Sequence, residues 1–182
     1  MAGAASIAVD SVDGMNPLLV NVSELLRRPG NDKDLALALL PIDLDIDEPR
    51  IDVDDVLQAD LHLASLSDGV VVSGTLAVPW HDTCRRCLEP IDTTTVADIH
   101  ELYQERVTND DAFPITGLQI DLQAMLRQLA LLELPIAALC RPDCAGLCPV
   151  CGADRNLEPC SCDTTVRDSR FAALDELKNR LN

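Results

Sequence analysis

Aromatic side chains are nearly absent from this chain of 182 residues: Trp80, Tyr103, Phe113 and Phe171 are the whole set, 2 % of the sequence. Four scattered rings do not make a base-stacking platform, and the core has to be assembled from Leu, Val, Ile and Ala. Positive charge is scarce as well. Fourteen Lys and Arg stand against 31 Asp and Glu, a formal charge of −17. A surface of that sign repels phosphate backbones and anionic lipid, so it disfavours unaided nucleic-acid binding and suits a basic protein better. Catalytic signatures are missing too. There is no H-E-x-x-H, no phosphate-cradling glycine loop and no nucleophile elbow, a pattern that reads as no enzyme and no small-molecule substrate. The longest apolar stretch, around Leu129 to Leu134, is broken by Glu133 and Pro135 and falls short of the roughly 18 residues that cross a bilayer. Residues Met1 to Ile7 carry neither a basic n-region nor a long apolar h-region, so the expectation is a chain without a signal peptide, cytoplasmic and away from membranes.

What is present is a globular composition, 47 % hydrophobic and 25 % charged. A chain of this length buries roughly 70 % of its unfolded surface. The patterning predicts an α+β fold: an antiparallel β-meander packed with a central helix and a C-terminal helix, plus a Cys-rich zinc-knuckle segment. Residues 1–17 read as a flexible N-terminus, 18–135 as the α+β core domain, and 136–182 as the Cys-rich zinc-binding segment with the C-terminal helix.

Leu18 to Val22 reads as a short strand, with Ser23 capping a helical turn through Arg28 that Pro29-Gly30 stops. Leu35, Leu37 and Leu39 alternate with alanine and suit a strand. Between residues 43 and 55, Asp43, Asp45 and Asp47 have the D-x-D-x-D spacing of a calcium loop, but Glu48 stands where such a loop needs Gly. An acidic, solvated edge is the better reading. The meander begins with Leu57, Ala59, Leu61 and Leu63, turns at Ser67-Asp68-Gly69, and continues through the β-branched run Val70 to Val78. After a loop carrying Cys84 and Cys87, Thr93 to Tyr103 forms the third strand, with Val96, Ile99 and Leu102 as its apolar positions. Residues 107–119 read as a polar loop. Asp121 then caps a helix with Leu122, Met125, Leu126, Leu129 and Leu132 at 3.6 spacing; Ile120 and Met125 are placed to staple its start, and Pro135 ends it. Asp168 caps a last helix bearing Phe171, Leu174, Leu177 and Leu181.

The eight cysteines fall into four close pairs: Cys84-x2-Cys87, Cys140-x3-Cys144, Cys148-x2-Cys151 and Cys160-x1-Cys162. Two thiolates at such spacing clasp one tetrahedral ion from a single turn, and two turns complete the site. In a reduced cytosol this pattern points to metal ligands and away from disulfides. Cys148-Pro-Val-Cys151-Gly152 is a zinc-knuckle sequence, in which Gly152 lets the chain fold back so that N–H groups point at sulfur. The preferred partition is local, with Cys148, Cys151, Cys160 and Cys162 in one site and Cys84, Cys87, Cys140 and Cys144 in the other. An alternative puts Cys140, Cys144, Cys148 and Cys151 together. One or two structural zinc ions are expected; an iron–sulfur cluster uses the same ligands, but the knuckle favours zinc. His62, His81 and His100 read as surface histidines.

These residues resemble the YceD family. The resemblance rests on Cys84-Arg-Arg-Cys-Leu-Glu-Pro90, the helix ending at Leu134-Pro135, the run Cys140-Arg-Pro-Asp-Cys-Ala-Gly-Leu-Cys-Pro-Val-Cys-Gly152, Asn156-Leu157 and Asp168-Ser-Arg-Phe171. It spans roughly residues 18 to 181 and is closest to the actinobacterial branch. Ser169 stands where the family usually has Pro. The resemblance implies a non-enzymatic role in accumulation of large-subunit ribosomal RNA, with zinc in a structural part. Charge then makes the expected mechanism indirect: an acidic surface that shields a basic ribosomal protein or assembly factor, with ribosomal RNA reached only through it. Arg85, Arg86, Arg141 and Arg155 lie beside the cysteines, either neutralising thiolates or offering a small RNA or partner contact. The competing readings are a direct RNA-binding zinc module and a redox-regulated zinc switch.

Overall fold

Period-two alternation in Leu57–Ser65 becomes strand β3, which buries Leu57, Ala59, Leu61 and Leu63 on one side and leaves Gln58, Asp60 and His62 exposed on the other. The computed structural model describes residues 17–107, 111–158 and 160–164. In chain order the other elements are β1 (Leu19–Asn21), α1 (Ser23–Arg27), β2 (Asp32–Leu39), a 3-10 helix (Pro41–Leu44), β4 (Gly69–Thr83), β5 (Pro90–Gln104), β6 (Phe113–Pro114), β7 (Gln119–Asp121) and α2 (Gln123–Leu132). A five-stranded sheet runs β2-β3-β4-β5-β6, and β1 pairs with β7 in a separate two-stranded sheet. The architecture is mixed α+β, as the patterning predicts.

The chain divides into two compact units. One holds the chain up to His81 together with Asp92–Ile136; the other holds Asp82–Ile91 and the chain from Ala137 onward. In the first unit, β2 and β3 pair antiparallel with Leu35 opposite Leu61 and Leu37 opposite Ala59, and β3 pairs with β4 with Leu63 opposite Val72. The turn between β3 and β4 closes on a hydrogen bond from Leu66 N–H to Gly69 O, 2.8 Å. Tyr103 is fully buried and donates its hydroxyl to the Asp121 carbonyl at 3.0 Å, and Trp80 Nε1 donates to Thr95 Oγ1 at 2.7 Å. Tyr103 and Trp80 thus each have a defined partner for their one polar side-chain atom.

Several local expectations are revised. Ser23 does not cap α1: Val22 holds the cap position, and the Asn21 side chain accepts from Ser23 N–H at 2.9 Å. In the same way Asp121 Oδ1 accepts from Gln123 N–H at 2.9 Å from one residue before the cap Leu122, so its expected role survives one position out of register. The segment 107–119 is not simply a loop. It contains β6, which runs parallel to β5 with Tyr103 opposite Phe113, and it leads into β7, which pairs with β1. On β5 the inward residues are Ala97, Ile99 and Tyr103, while Val96 is 58 % exposed; strand period, not apolar identity, sets the face. On α2 the buried face is Leu122, Met125, Leu126 and Ala130, and Leu132 at the helix end is 69 % exposed. The expected C-terminal helix, Asp168 to Leu181, lies outside the described residues.

In the acidic stretch, donors from the protein itself occupy several of the carboxylates. Asp43 Oδ2 accepts from Leu40 N–H at 2.8 Å, Asp45 Oδ2 pairs with Arg127 Nη1 at 2.9 Å, and Arg50 Nε pairs with Glu48 at 2.8 Å. These carboxylates face separate partners and do not converge. His62 and His81 sit beside Asp34 and Asp52, at 2.7 and 3.7 Å, and His100 is exposed. No helix among the described residues is long and apolar enough to cross a membrane.

Candidate metal centre

All eight cysteines belong to the second unit, and four of them are buried. Among its described residues the buried hydrophobic side chains are Cys84, Cys87, Ala138, Cys144 and Cys148, with Ile91 and Leu139 packed against the first sulfurs. The thiols fall into two groups of four. Cys84, Cys87, Cys140 and Cys144 form one, Cys148, Cys151, Cys160 and Cys162 the other, and within each the sulfurs lie within 4.8 Å of one another. The structure therefore brings the cysteines together by the local partition; Cys140 and Cys144 are not grouped with Cys148 and Cys151. In the first group the sulfurs of Cys87 and Cys140 lie 3.6 Å apart and those of Cys84 and Cys144 3.9 Å apart, and none of the eight cysteines is in a disulfide.

The two C-x2-C turns are the same device built twice. In the second, Gly152 N–H donates to Cys148 O at 2.9 Å and Cys148 N–H donates to Ala153 O at 2.8 Å. In the first, Leu88 N–H donates to Cys84 O at 2.9 Å and Cys84 N–H donates to Glu89 O at 2.8 Å. Gly152 and Leu88 occupy the position after the second cysteine, and both are left-handed, with φ of 74° and 65°. Gly152 adopts that conformation without steric cost. Leu88 does not, and a non-glycine residue held there by its surroundings marks a turn that the fold requires. The sequence signature of a knuckle shows only in the glycine-bearing copy.

The first cysteine of each turn is the one whose charge the backbone favours. The backbone amide of Cys140, then those of Cys87 and Arg86, point at Cys84 and, against the effect of burial, lower its thiol to about 6. The backbone amides of Cys151 and Val150 do the same for Cys148, again to about 6, with Val150 N 3.4 Å from the sulfur. The later thiols move the other way. Desolvation and then crowding by Cys87, Cys144 and Cys84 push Cys140 up to about 12; Cys140 is exposed as a residue, so crowding is the sounder cause. Sharing with Cys151, then desolvation, pushes Cys162 up to about 12. Four thiolates this close cannot all ionise against one another unless a cation sits among them. An all-sulfur set of four with backbone N–H groups directed at sulfur fits a closed metal site with no position left open for substrate. The two groups could each hold a metal ion.

The four arginines singled out by sequence lie in this unit, and two have side chains engaged inside it. Arg86 Nη1 donates to the carbonyls of Cys144 at 2.9 Å and Pro142 at 3.4 Å. Arg141 Nη2 donates to Asn156 Oδ1 at 2.7 Å, and its Nε lies 3.4 Å from Asp143. Arg85 and Arg155 contribute backbone N–H groups, to Ala138 O and Gly146 O, both at 3.0 Å. Asn156, which the sequence offers only as part of the family resemblance, has a role that sequence reasoning did not assign: it touches Cys144. Its partners are 2 to 15 residues away, so no spacing rule points to it.

Comparison with known proteins bears on the same segment. The family model described as large ribosomal RNA subunit accumulation protein YceD matches residues 72–178, a span that takes in every cysteine. An uncharacterized protein of Mycobacterium tuberculosis is 34 % identical over 170 residues, covering 89 % of this chain and 82 % of its own. One from Mycobacterium leprae is 29 % identical over 157 residues, covering 80 % and 70 %. A chloroplastic protein of Arabidopsis thaliana, named large ribosomal RNA subunit accumulation protein YCED homolog 1, is 33 % identical over 69 residues, 38 % of this chain and 22 % of that one. No solved structure matches the chain. The family match over more than half the sequence, together with the near-full-length mycobacterial relatives, shows that the chain belongs to the YceD family.

Proposed function

We propose that this protein is a non-enzymatic ribosome-biogenesis factor of the cytoplasm that supports accumulation of large-subunit ribosomal RNA, acting through an acidic protein-binding surface, with zinc holding its cysteine-rich unit together. The family name supports the RNA role. The observation that carries the metal reading is that cysteines supply four of the five buried hydrophobic side chains among the second unit's described residues. Zinc suits tetrahedral four-thiolate sites better than harder ions do, and with four protein ligands it supports a fold and leaves no open position for a reaction. One ion in each group makes two. Each four-thiolate zinc adds two negative charges, taking the chain further below its formal −17.

That charge favours a basic ribosomal protein or assembly factor as the direct partner, with ribosomal RNA engaged through it. The internal hydrogen bonds of Arg86 and Arg141 support a local role for those guanidiniums over an RNA contact. The reading is tested by recovering tagged protein from growing cells with and without ribonuclease. A basic large-subunit protein or assembly factor still attached after ribonuclease is the expected result. Loss of every partner along with the RNA would favour direct RNA binding.

A further inference from the structure

The two four-sulfur groups are joined by an amide that neither uses as a ligand. Asn156 lies between Cys151 and Cys160, in the loop of the second group, yet its side chain reaches the first. Nδ2 lies 3.5 Å from Cys144 Sγ, while Oδ1 accepts from Arg141 Nη2 at 2.7 Å and from Ala145 N–H at 2.8 Å. Nδ2 also donates to Asp154 Oδ1 at 2.6 Å, which accepts from the Asn156 backbone N–H at 2.9 Å as well. A primary amide offers two donors and two acceptor lone pairs. All four are engaged. The carboxylate of Asp154 and the two donors Arg141 and Ala145 fix which end of the amide is which, so it is the N–H end that faces sulfur. Such a bond is strongest when the sulfur carries charge, as a metal-bound thiolate does.

Backbone bonds brace the same junction. Leu147 N–H donates to Arg86 O inside the first knuckle at 2.9 Å, while Arg155 N–H, in the second group's loop, donates to Gly146 O at 3.0 Å. Leu147 also bridges Asp154. Gly146 has φ of 70°, and a Cβ there would lie 2.9 Å from Arg86 O, so the close approach of the two groups admits only glycine. Ordering either loop thus orders a contact of the other.

We infer that Asn156 is a positioning residue that couples the two sites, so that they load metal as one cooperative unit. The inference rests on the zinc reading above and adds to it a linkage. A coupling of this kind is reciprocal: metal in either group strengthens binding in the other by the same factor. Asn156 acts on Cys144 by holding its sulfur and the turn Arg141–Ala145 in the geometry the first group needs, and Asp154 holds Asn156.

The test uses the full chain, reduced and stripped of metal, then titrated with zinc(II) under native mass spectrometry and with cobalt(II) under absorption spectroscopy. Wild-type protein should pass from metal-free to doubly loaded with few singly loaded chains at one equivalent. Asn156→Ala should accumulate singly loaded chains, weaken the Cys84, Cys87, Cys140 and Cys144 site by about 10- to 100-fold, and shift that site's sulfur-to-cobalt charge-transfer band. In a Cys84→Ser, Cys87→Ser background, Asn156→Ala should leave the remaining site's affinity unchanged, which a general loosening would not do. Statistical loading of wild-type protein, or cooperative loading in Asn156→Ala, would overturn the coupling while leaving two zinc sites standing. Wild-type protein that binds no metal at all would overturn the zinc reading and the coupling with it.

Discussion

Leu88 is the residue at which the local chemistry and the fold disagree most openly. It sits in the left-handed region at φ 65°, is 63 % exposed, and does in the first knuckle what Gly152 does in the second. A leucine in that conformation costs about 1–2 kcal/mol, while glycine returns part of that through the freer unfolded chain. Leu88→Gly should therefore be neutral to stabilising by up to about 1 kcal/mol, and Gly152→Ala destabilising by about 1 kcal/mol. Thermal unfolding of both variants with zinc bound checks this; a clear loss of stability in Leu88→Gly would mean that its side chain holds a contact the turn needs. The pair also explains a limit of reading by residue type. Cys148-Pro-Val-Cys151-Gly152 announces its turn through Gly152, whereas Cys84-Arg-Arg-Cys87-Leu88 makes the same turn with no glycine to announce it. Asn156 is hidden for another reason: its role comes from four partners assembled by folding.

Among the elements, those with long, regular periodicity were legible and those made by short pairings were not. β3 alternates over nine residues and α2 buries Leu122, Met125 and Leu126, which hydrophobic pattern predicts, while its C-terminal end buries Ala130 and exposes Leu132. β6 is two residues long and β7 three, each defined by a partner strand from elsewhere in the chain, and no local pattern encodes such a partner. The cysteine pairs were legible because ligand spacing is itself a local pattern. That the first group joins two distant chain segments, Cys84 and Cys87 with Cys140 and Cys144, was legible as the preferred partition, because pairing Cys148 and Cys151 with Cys160 and Cys162 leaves those four. The division of buried side chains predicts how the elements respond to metal loss. The first unit has its own aliphatic core, whereas among the second unit's described residues the buried hydrophobic side chains are mostly cysteines. A structural zinc contributes on the order of 10 kcal/mol to a small site, so Cys148→Ser should strip hydrogen-exchange protection from the segment after Ala137 and spare β2, β3 and α2. Equal loss of protection in β3 would show the two units to be one cooperative whole.

At the scale of the whole molecule, charge is what the proposed choice of partner rests on. An excess of 17 acidic side chains gives a long-range field that draws in cationic proteins and holds off phosphate, over a distance that salt shortens to about 8–10 Å under physiological conditions. The YceD family is named for accumulation of large-subunit ribosomal RNA, and the function proposed above has this field bring in a basic protein as the direct partner. The measurement that tests this most directly is a titration of labelled protein, across a salt series, against large-subunit ribosomal RNA and separately against purified basic large-subunit proteins or assembly factors. The account predicts binding to a basic protein that tightens as salt is lowered, and no comparable binding to naked RNA at physiological salt. Tight, steeply salt-dependent binding to RNA alone, abolished by Arg85→Ala with Arg86→Ala, would contradict it.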